Sequence, residues 1–239
     1  MGVPVEVVEA IVILRQQCAA QDGRSTASGE EMGLQRFMAA QLRRPKGWFG
    51  AFVMSRFLNR VNGQIIDRTL TLLDARAEHS VLEIGFGGGS ALCRLAKEAG
   101  SGVVTGVDIS PEMIRQAERR FRHQIETGRL RVQLGDVTRL PFGDGVFDRV
   151  FTINTIYFWP DALQGLGEIY RVLKQDGLAA ISIRSKEKMK EHAVTKYDFC
   201  LFSADDVARL MGQAGFREIR VDHRDKDKWY DQVIVVGSR

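Results

Sequence analysis

At 239 residues, 44% hydrophobic and 27% charged, the chain is long enough for one sizeable α/β domain plus a smaller appendage, with the composition of a globular protein. A net charge of +4 is too slight a basic excess for a dedicated nucleic-acid binder, so nucleic acid is not an expected partner. The three cysteines, Cys18, Cys93 and Cys200, lie far apart with no CxxC pair, which argues against a disulfide framework or a zinc site and for a reducing cytoplasm.

The opening run MGVPVEVVEAIVIL lacks a basic leader and is interrupted by Glu6 and Glu9. It reads as an amphipathic helix from about Val5 to Gln21, not as a signal peptide or membrane span. The polar linker DGRSTASGE follows, then a helix through EEMGLQRFMAAQL that stops near Arg44-Pro45, because the residue before proline disfavours the helical region. One or two further helices are expected in WFGAFVMSRFLNRVNGQIIDRTLTLL, where apolar residues recur at three and four. Residues 1–75 are therefore expected to form a helical N-terminal cap, and 76–239 the main domain. Within the cap, residues 36–62 group Trp48, Phe49, Phe52 and Met54 around Pro45-Lys46-Gly47. That segment is the candidate lid over a ligand site.

From Ser80 the rhythm becomes strand, turn, helix. VLEI is a buried strand and ALCRLAKEAG its helix; GVVTGVDI is the next strand. SPEMIRQAERRFRHQ is a helix with Ser110 as N-cap and Pro111 at its first position. LRVQLGD and FDRVFTIN give strands three and four, and DALQGLGEIYRVLK a helix ending at Asp176-Gly177. LAAISIR is strand five, SADDVARLMGQAG a capped helix, and FREIRVD and WYDQVIVVG the closing strands. This alternation predicts a Rossmann-like, doubly wound sheet.

The first strand runs into VLEIGFGGGS, with four glycines in the five positions 85–89. Glycines after a strand allow a tight turn and close approach of a ligand to the backbone. A dinucleotide fingerprint wants its third glycine where Ser90 stands. The spacing is instead Glu83-x-Gly85-x-Gly87-x-Gly89, with an acid two residues ahead of the first glycine. A carboxylate there would repel a diphosphate but attract an ammonium or sulfonium group. Asp108 closes the second strand, where an acid can accept both hydrogen bonds of a ribose diol. Asp136, at the end of strand three, can accept from an adenine amino group while Val137 offers its N–H.

In order and spacing, these marks resemble the class I S-adenosylmethionine-dependent methyltransferases over about residues 78 to 183. The likeness is strongest to members that methylate small molecules, including the quinone methyltransferases, whose EIYRVLK-x-x-G segment matches 168–177. The resemblance implies a seven-stranded sheet, its last strand inserted antiparallel between strands five and six, with S-adenosyl-L-methionine as cofactor. It also implies roles. Glu83 and the turn Gly85, Gly87 and Gly89 face the methionine moiety, and Asp108 binds ribose. Ile109 packs on adenine, Asp136 and Val137 meet the adenine edge, and Asn154 borders the methionine end. The implied partner is a small-molecule methyl acceptor. Competing readings are a methyltransferase of RNA or protein, an NAD-dependent Rossmann protein, and a non-catalytic relative.

Around the acceptor, NTIY at 154–157 matches the ends of the Asn/Asp-Pro-Pro-aromatic motif of amino-methylating enzymes, but Thr155 and Ile156 replace its prolines. Tyr157 is expected to line the pocket and His192 to act as general base, since histidine titrates near neutrality. The segment SKEKMKEHAVTKYDF that carries His192 also holds Tyr197 and Phe199. The arginines of RQAERRFRHQIETGRLR alternate with acids and read as a solvated face. No cluster of metal ligands is evident.

Overall fold

The computed structural model describes residues 63–190, 200–224 and 231–239. Seven strands form one sheet: β1 (Val81–Ile84), β2 (Val104–Asp108), β3 (Leu130–Leu134), β4 (Phe147–Ile153), β5 (Leu173–Arg184), β6 (Arg217–Arg224) and β7 (Gln232–Ser238). Their spatial order is β3-β2-β1-β4-β5-β7-β6, and β7 runs antiparallel to both of its neighbours. The first five strands pair in parallel, so their carboxyl ends lie along one edge. The order reverses between β1 and β4, and there the loops leave in opposite directions and open a crevice.

Helices cover both faces, which is why the central strands read as unbroken apolar runs. On one face Leu82, Ile84, Val150 and Ile181 pack with Leu166 and Ile169 of α5 (Ala162–Val172) and Val207 and Met211 of α7 (Ala204–Gln213). On the other, Val81, Val104, Phe151 and Ala180 pack with α1 (Gly63–Leu73), α2 (Ser90–Glu98) and α3 (Pro111–Arg120). Two short helices complete the described chain, α4 (Arg122–Glu126) and α6 (Lys186–Lys190).

Of the expected cap, α1 alone is described, and it is a layer of the sheet domain. Ile65, Ile66, Leu70 and Leu73 are buried against the strands. Thr69 Oγ1 is 2.6 Å from Ser182 Oγ of β5, and Arg68 grips Asp222 of β6 at 2.9 and 2.5 Å. Core burial and two side-chain links fix this helix to the sheet. Residues 1–62, including the candidate lid 36–62, lie outside the described residues.

Two helix boundaries differ from expectation for local reasons. The single helix read over 110–124 breaks at Phe121, whose backbone leaves the helical region (φ −112°, ψ 25°) while its ring is buried beneath the glycine turn. The helix read as far as Asp176 stops at Val172, because Leu173 already pairs with Phe147 of β4. Asp176 (φ 61°) then turns the chain into the long part of β5. Ser110 occupies the N-cap position of α3, but its hydroxyl turns to Glu112 at 3.1 Å instead of capping the helix. The capped helix expected over 203–215 is present as Ala204–Gln213, with a reciprocal box between Ser203 and Asp206.

Candidate active site

The crevice at the carboxyl ends of β1, β2 and β4 is built from the glycine turn outward. Gly85, Gly87 and Gly89 all take left-handed backbone, with φ of 68°, 48° and 69°. At Gly85 the Gly85 N–H donates to Val107 O at 2.7 Å, and a Cβ would fall 2.6 Å from Thr155 Cγ2. At Gly89 a Cβ would fall 2.6 Å from Phe121 Cε2. Both conformation and space exclude a side chain at these positions. Gly89 is also the N-cap of α2, without a side-chain cap, so the first amides of that helix face the turn.

Two acids lie beneath this turn. Glu83 pairs in register with Gly106, and Asp108 is two residues further along β2, so both carboxylates project from one face of adjacent strands. Glu83 is 4% exposed and its Oε2 has no hydrogen-bond partner. Burial, and then the charge of Asp108, push its carboxyl well above the ordinary range, with only the Leu92 N–H pulling it back. Asp108 accepts from the Ser110 N–H at 2.9 Å and the Gly87 N–H at 3.2 Å. Burial still pushes it up to about 6. Such a pair is costly in the free protein and is relieved by a ligand that brings positive charge and hydroxyl donors.

The other expected residues fall around this pair. Ile109 is 44% exposed at the end of β2, an apolar side chain left uncovered on the crevice rim. Gly135 N–H donates to Asp108 O at 3.1 Å, which brings the next turn alongside. There Asp136 Oδ1 accepts from both the N–H and the hydroxyl of Thr138 at 2.8 Å, while the Val137 side chain is buried in the core. Asn154 follows β4 in left-handed backbone (φ 57°), and its N–H donates to Ser182 O at 2.9 Å.

Tyr157, expected to line the pocket, is 2% exposed, and its hydroxyl accepts from the Arg184 N–H at 2.6 Å. The hydroxyl has Asn154 Oδ1 and Arg184 O, each 3.3 Å from its oxygen, as acceptors for its proton. Burial raises the phenol far above its ordinary value. This tyrosine ties the turn after β4 to the end of β5 and holds its proton. His192, Tyr197 and Phe199 lie outside the described residues.

Sequence reasoning missed the polar group beside Gly85. Thr152 Oγ1 donates to Ile84 O at 2.9 Å and shares a short hydrogen bond with Thr155 Oγ1. Trp159 Nε1 donates to Thr155 Oγ1 at 3.2 Å. The substitutions that break the double-proline motif thus have local duties: Thr155 joins this chain, and Ile156 is fully buried at the start of a 3-10 turn. A threonine three residues after another at a strand end is the only signal of this in the sequence.

Among the described residues no group of three or more His, Cys, Asp or Glu could hold a metal ion. No helix among them is long and apolar enough to cross a membrane. The paired acids, the unsatisfied Glu83 oxygen, the side-chain-free turn and the bare Ile109 fit a cationic nucleoside; a diphosphate would meet two carboxylates.

Comparison with known proteins points the same way. Residues 82–181 match a family described as "Methyltransferase domain". The chain is 30% identical over 188 residues to a malonyl-[acyl-carrier protein] O-methyltransferase of Geobacter sulfurreducens, covering 72% of this chain and 69% of that protein. It is 37% identical over 110 residues to a demethylmenaquinone methyltransferase of Lactobacillus johnsonii, 46% of this chain and 45% of that one. Among solved structures, an S-adenosylmethionine-dependent methyltransferase of Aquifex aeolicus superposes with a TM-score of 0.62 at 23% identity, over 72% of this chain and 88% of that one.

Proposed function

Because the chain belongs to the S-adenosylmethionine-dependent methyltransferase family, we propose that it binds S-adenosyl-L-methionine in the crevice beside β1 and methylates a small-molecule acceptor. The observation that carries this is the buried Glu83–Asp108 pair, with one oxygen of Glu83 left unpartnered. Glu83 would face the cationic methionine end, the turn Gly85, Gly87 and Gly89 would lie along it, and Asp108 would take the ribose hydroxyls. Ile109 would cover adenine, with Asp136 and the Val137 N–H at its edge and Asn154 at the methionine end.

When bound, the cofactor supplies an electrophilic methyl group on a sulfonium. The protein contributes position and surroundings. The glycine turn and the acids would hold the methionine end of the cofactor, and holding two reactants in line is a large part of such catalysis. A dry, apolar acceptor pocket would favour transfer, because charge is dispersed as a neutral nucleophile meets the cation. The relatives named for malonyl-carrier and demethylmenaquinone methylation support an acceptor that is apolar, aromatic or a carrier-bound carboxyl group. For removal of an acceptor proton we propose His192, because histidine is the side-chain type most often used as a general base.

Calorimetry on the full chain tests the reading. S-adenosylmethionine or S-adenosylhomocysteine should bind, and NADH should not. Binding of NADH with neither of the others would overturn it. With the cofactor established, transfer of a labelled methyl group to hydroquinones or malonyl thioesters tests the acceptor class. His192→Ala should then slow single-turnover methylation by about 10²–10⁴ if the imidazole is the base.

A further inference from the structure

The turn after β4 and the glycine turn after β1 are joined by one residue. Thr155 lays its methyl group on Gly85, in the space that a Cβ there would need. Its hydroxyl stands in the middle of a directed chain of hydrogen bonds. Thr152 has a single hydroxyl proton and gives it to Ile84 O. The bond between the two threonines must therefore be donated by Thr155. Thr155 Oγ1 is then left to accept from the indole of Trp159. One arrangement of protons satisfies all three donors, and the chain ends on the carbonyl immediately before Gly85.

At its other end the chain is anchored in the core. Trp159 is buried, and its ring lies so close to α5 that a Cβ on Gly165 would fall 2.8 Å from Cε3. Thr152 is fully buried between β1 and β5. Gly85 itself has no side chain with which to hold its place and occupies left-handed backbone. A glycine there has more freedom to lose than any other residue, so something outside the turn must restrict it.

We propose that Thr155 is a positioning residue for the cofactor, setting the Gly85 turn in its binding conformation before the ligand arrives. The inference rests on the crevice beside β1 being the cofactor site. It predicts that the hydroxyl of Thr155 matters to affinity as well as to folding, although Thr155 itself makes its bonds inside the protein. A threonine that merely filled the core would lower the melting temperature when altered and leave affinity unchanged.

The test is titration of the full chain with S-adenosylhomocysteine, alongside thermal unfolding. Thr155→Val keeps the shape and the methyl contact but loses the hydroxyl, and should weaken binding about tenfold, the scale of one lost buried hydrogen bond. Thr155→Ser keeps the hydroxyl and should stay within about threefold of the parent. Thr152→Val cuts the same chain one bond nearer Ile84 and should reproduce the tenfold loss; it decides the matter if Thr155→Val does not fold. Parental affinity in the valine variants, whatever their melting temperatures, would overturn the proposal. A parent chain that binds no S-adenosylhomocysteine would instead overturn the assignment of the site, and this inference with it.

Discussion

Two turns face each other across the crevice, and they treat their polar groups in opposite ways. Beside the turn after β1, Glu83 of β1 is buried with an unpartnered oxygen, Asp108 at the end of β2 is pushed up to about 6, and Ile109 after it is uncovered. In the turn after β4, the hydroxyls of Thr152, Thr155 and Tyr157 and the indole of Trp159 are all bonded within the protein. A buried polar group without a partner costs free energy, and a fold keeps it where something else supplies the partner. A group whose bonds are already closed is framework, even when its chemical type suggests catalysis. On the proposed reading, the first turn is the one that takes a ligand, and the second is the one that holds it in place.

The most disruptive change to the first turn is Gly85→Ala. The new Cβ would meet Thr155 Cγ2 at 2.6 Å, in backbone with φ of 68°. Left-handed backbone and the clash should together cost about 2–3 kcal/mol, near a hundredfold in affinity for S-adenosylhomocysteine, read by calorimetry. Gly167→Ala is the control. It lies in α5 with nothing within 4 Å of the added carbon, and should leave binding alone while stabilising the helix by about 0.5–1 kcal/mol.

Next in size is Glu83→Gln, which keeps the side chain's volume and removes its ability to carry charge. If the unpartnered oxygen awaits a cation, S-adenosylmethionine should lose about tenfold in affinity, or about 1.4 kcal/mol. The neutral thioether product should lose less. Equal losses for the two ligands would mean that Glu83 senses shape and not charge.

The acid pair also sets a pH dependence. Asp108 has a folded value near 6 against an ordinary 3.8, so the folded free protein holds this proton more tightly than the unfolded chain. Its contribution to stability is therefore full below about pH 4 and is lost as pH rises through about 6. Glu83, raised for the same reason, adds in the same direction. Ribose hydroxyls donate to the ionised carboxylate, so ligand affinity should move the other way and rise severalfold from about pH 5 to about pH 7. Thermal unfolding and titration across this range should show opposite slopes, and Asp108→Asn should reduce both, leaving the part that Glu83 contributes. Parallel slopes would remove Asp108 from the binding site.

Much of the fold was legible in the sequence, because a sheet buried on both faces leaves continuous apolar runs punctuated by glycine and acids. The glycine turn, Glu83 and Asp108 were legible for the same reason: few residue types suit left-handed backbone or the end of a buried strand. What could not be read depended on partners distant in sequence. Phe121 suits a helix pattern, and only the turn beneath which its ring packs shows why the helix breaks there. Leu173 suits the helix before it, and only its pairing with Phe147 ends that helix early. Thr155 looked like a failed proline motif until its neighbours in space were known. Residue type suggested a pocket role for Tyr157, and its hydrogen bonds to Arg184 and Asn154 could not be read from the sequence.

Tyr157→Phe is the change expected to matter least to binding, and it tests the second turn directly. The phenol oxygen accepts the Arg184 N–H at 2.6 Å in a buried site, so its removal leaves that donor unsatisfied. The expected cost is about 1–2 kcal/mol of folding stability, the scale of one buried donor without a partner. The proton lost with it was held by Asn154 Oδ1 or Arg184 O, both of which lie within the fold. Burial raises the phenol well above its ordinary value, which favours its protonated form. Affinity for S-adenosylhomocysteine should therefore stay within about twofold of the parent, and the pH dependence of single-turnover methylation should keep its shape. A phenylalanine variant that melts like the parent but loses the alkaline limb of the rate profile would reverse the assignment, making Tyr157 a participant in proton transfer and its turn part of the chemistry.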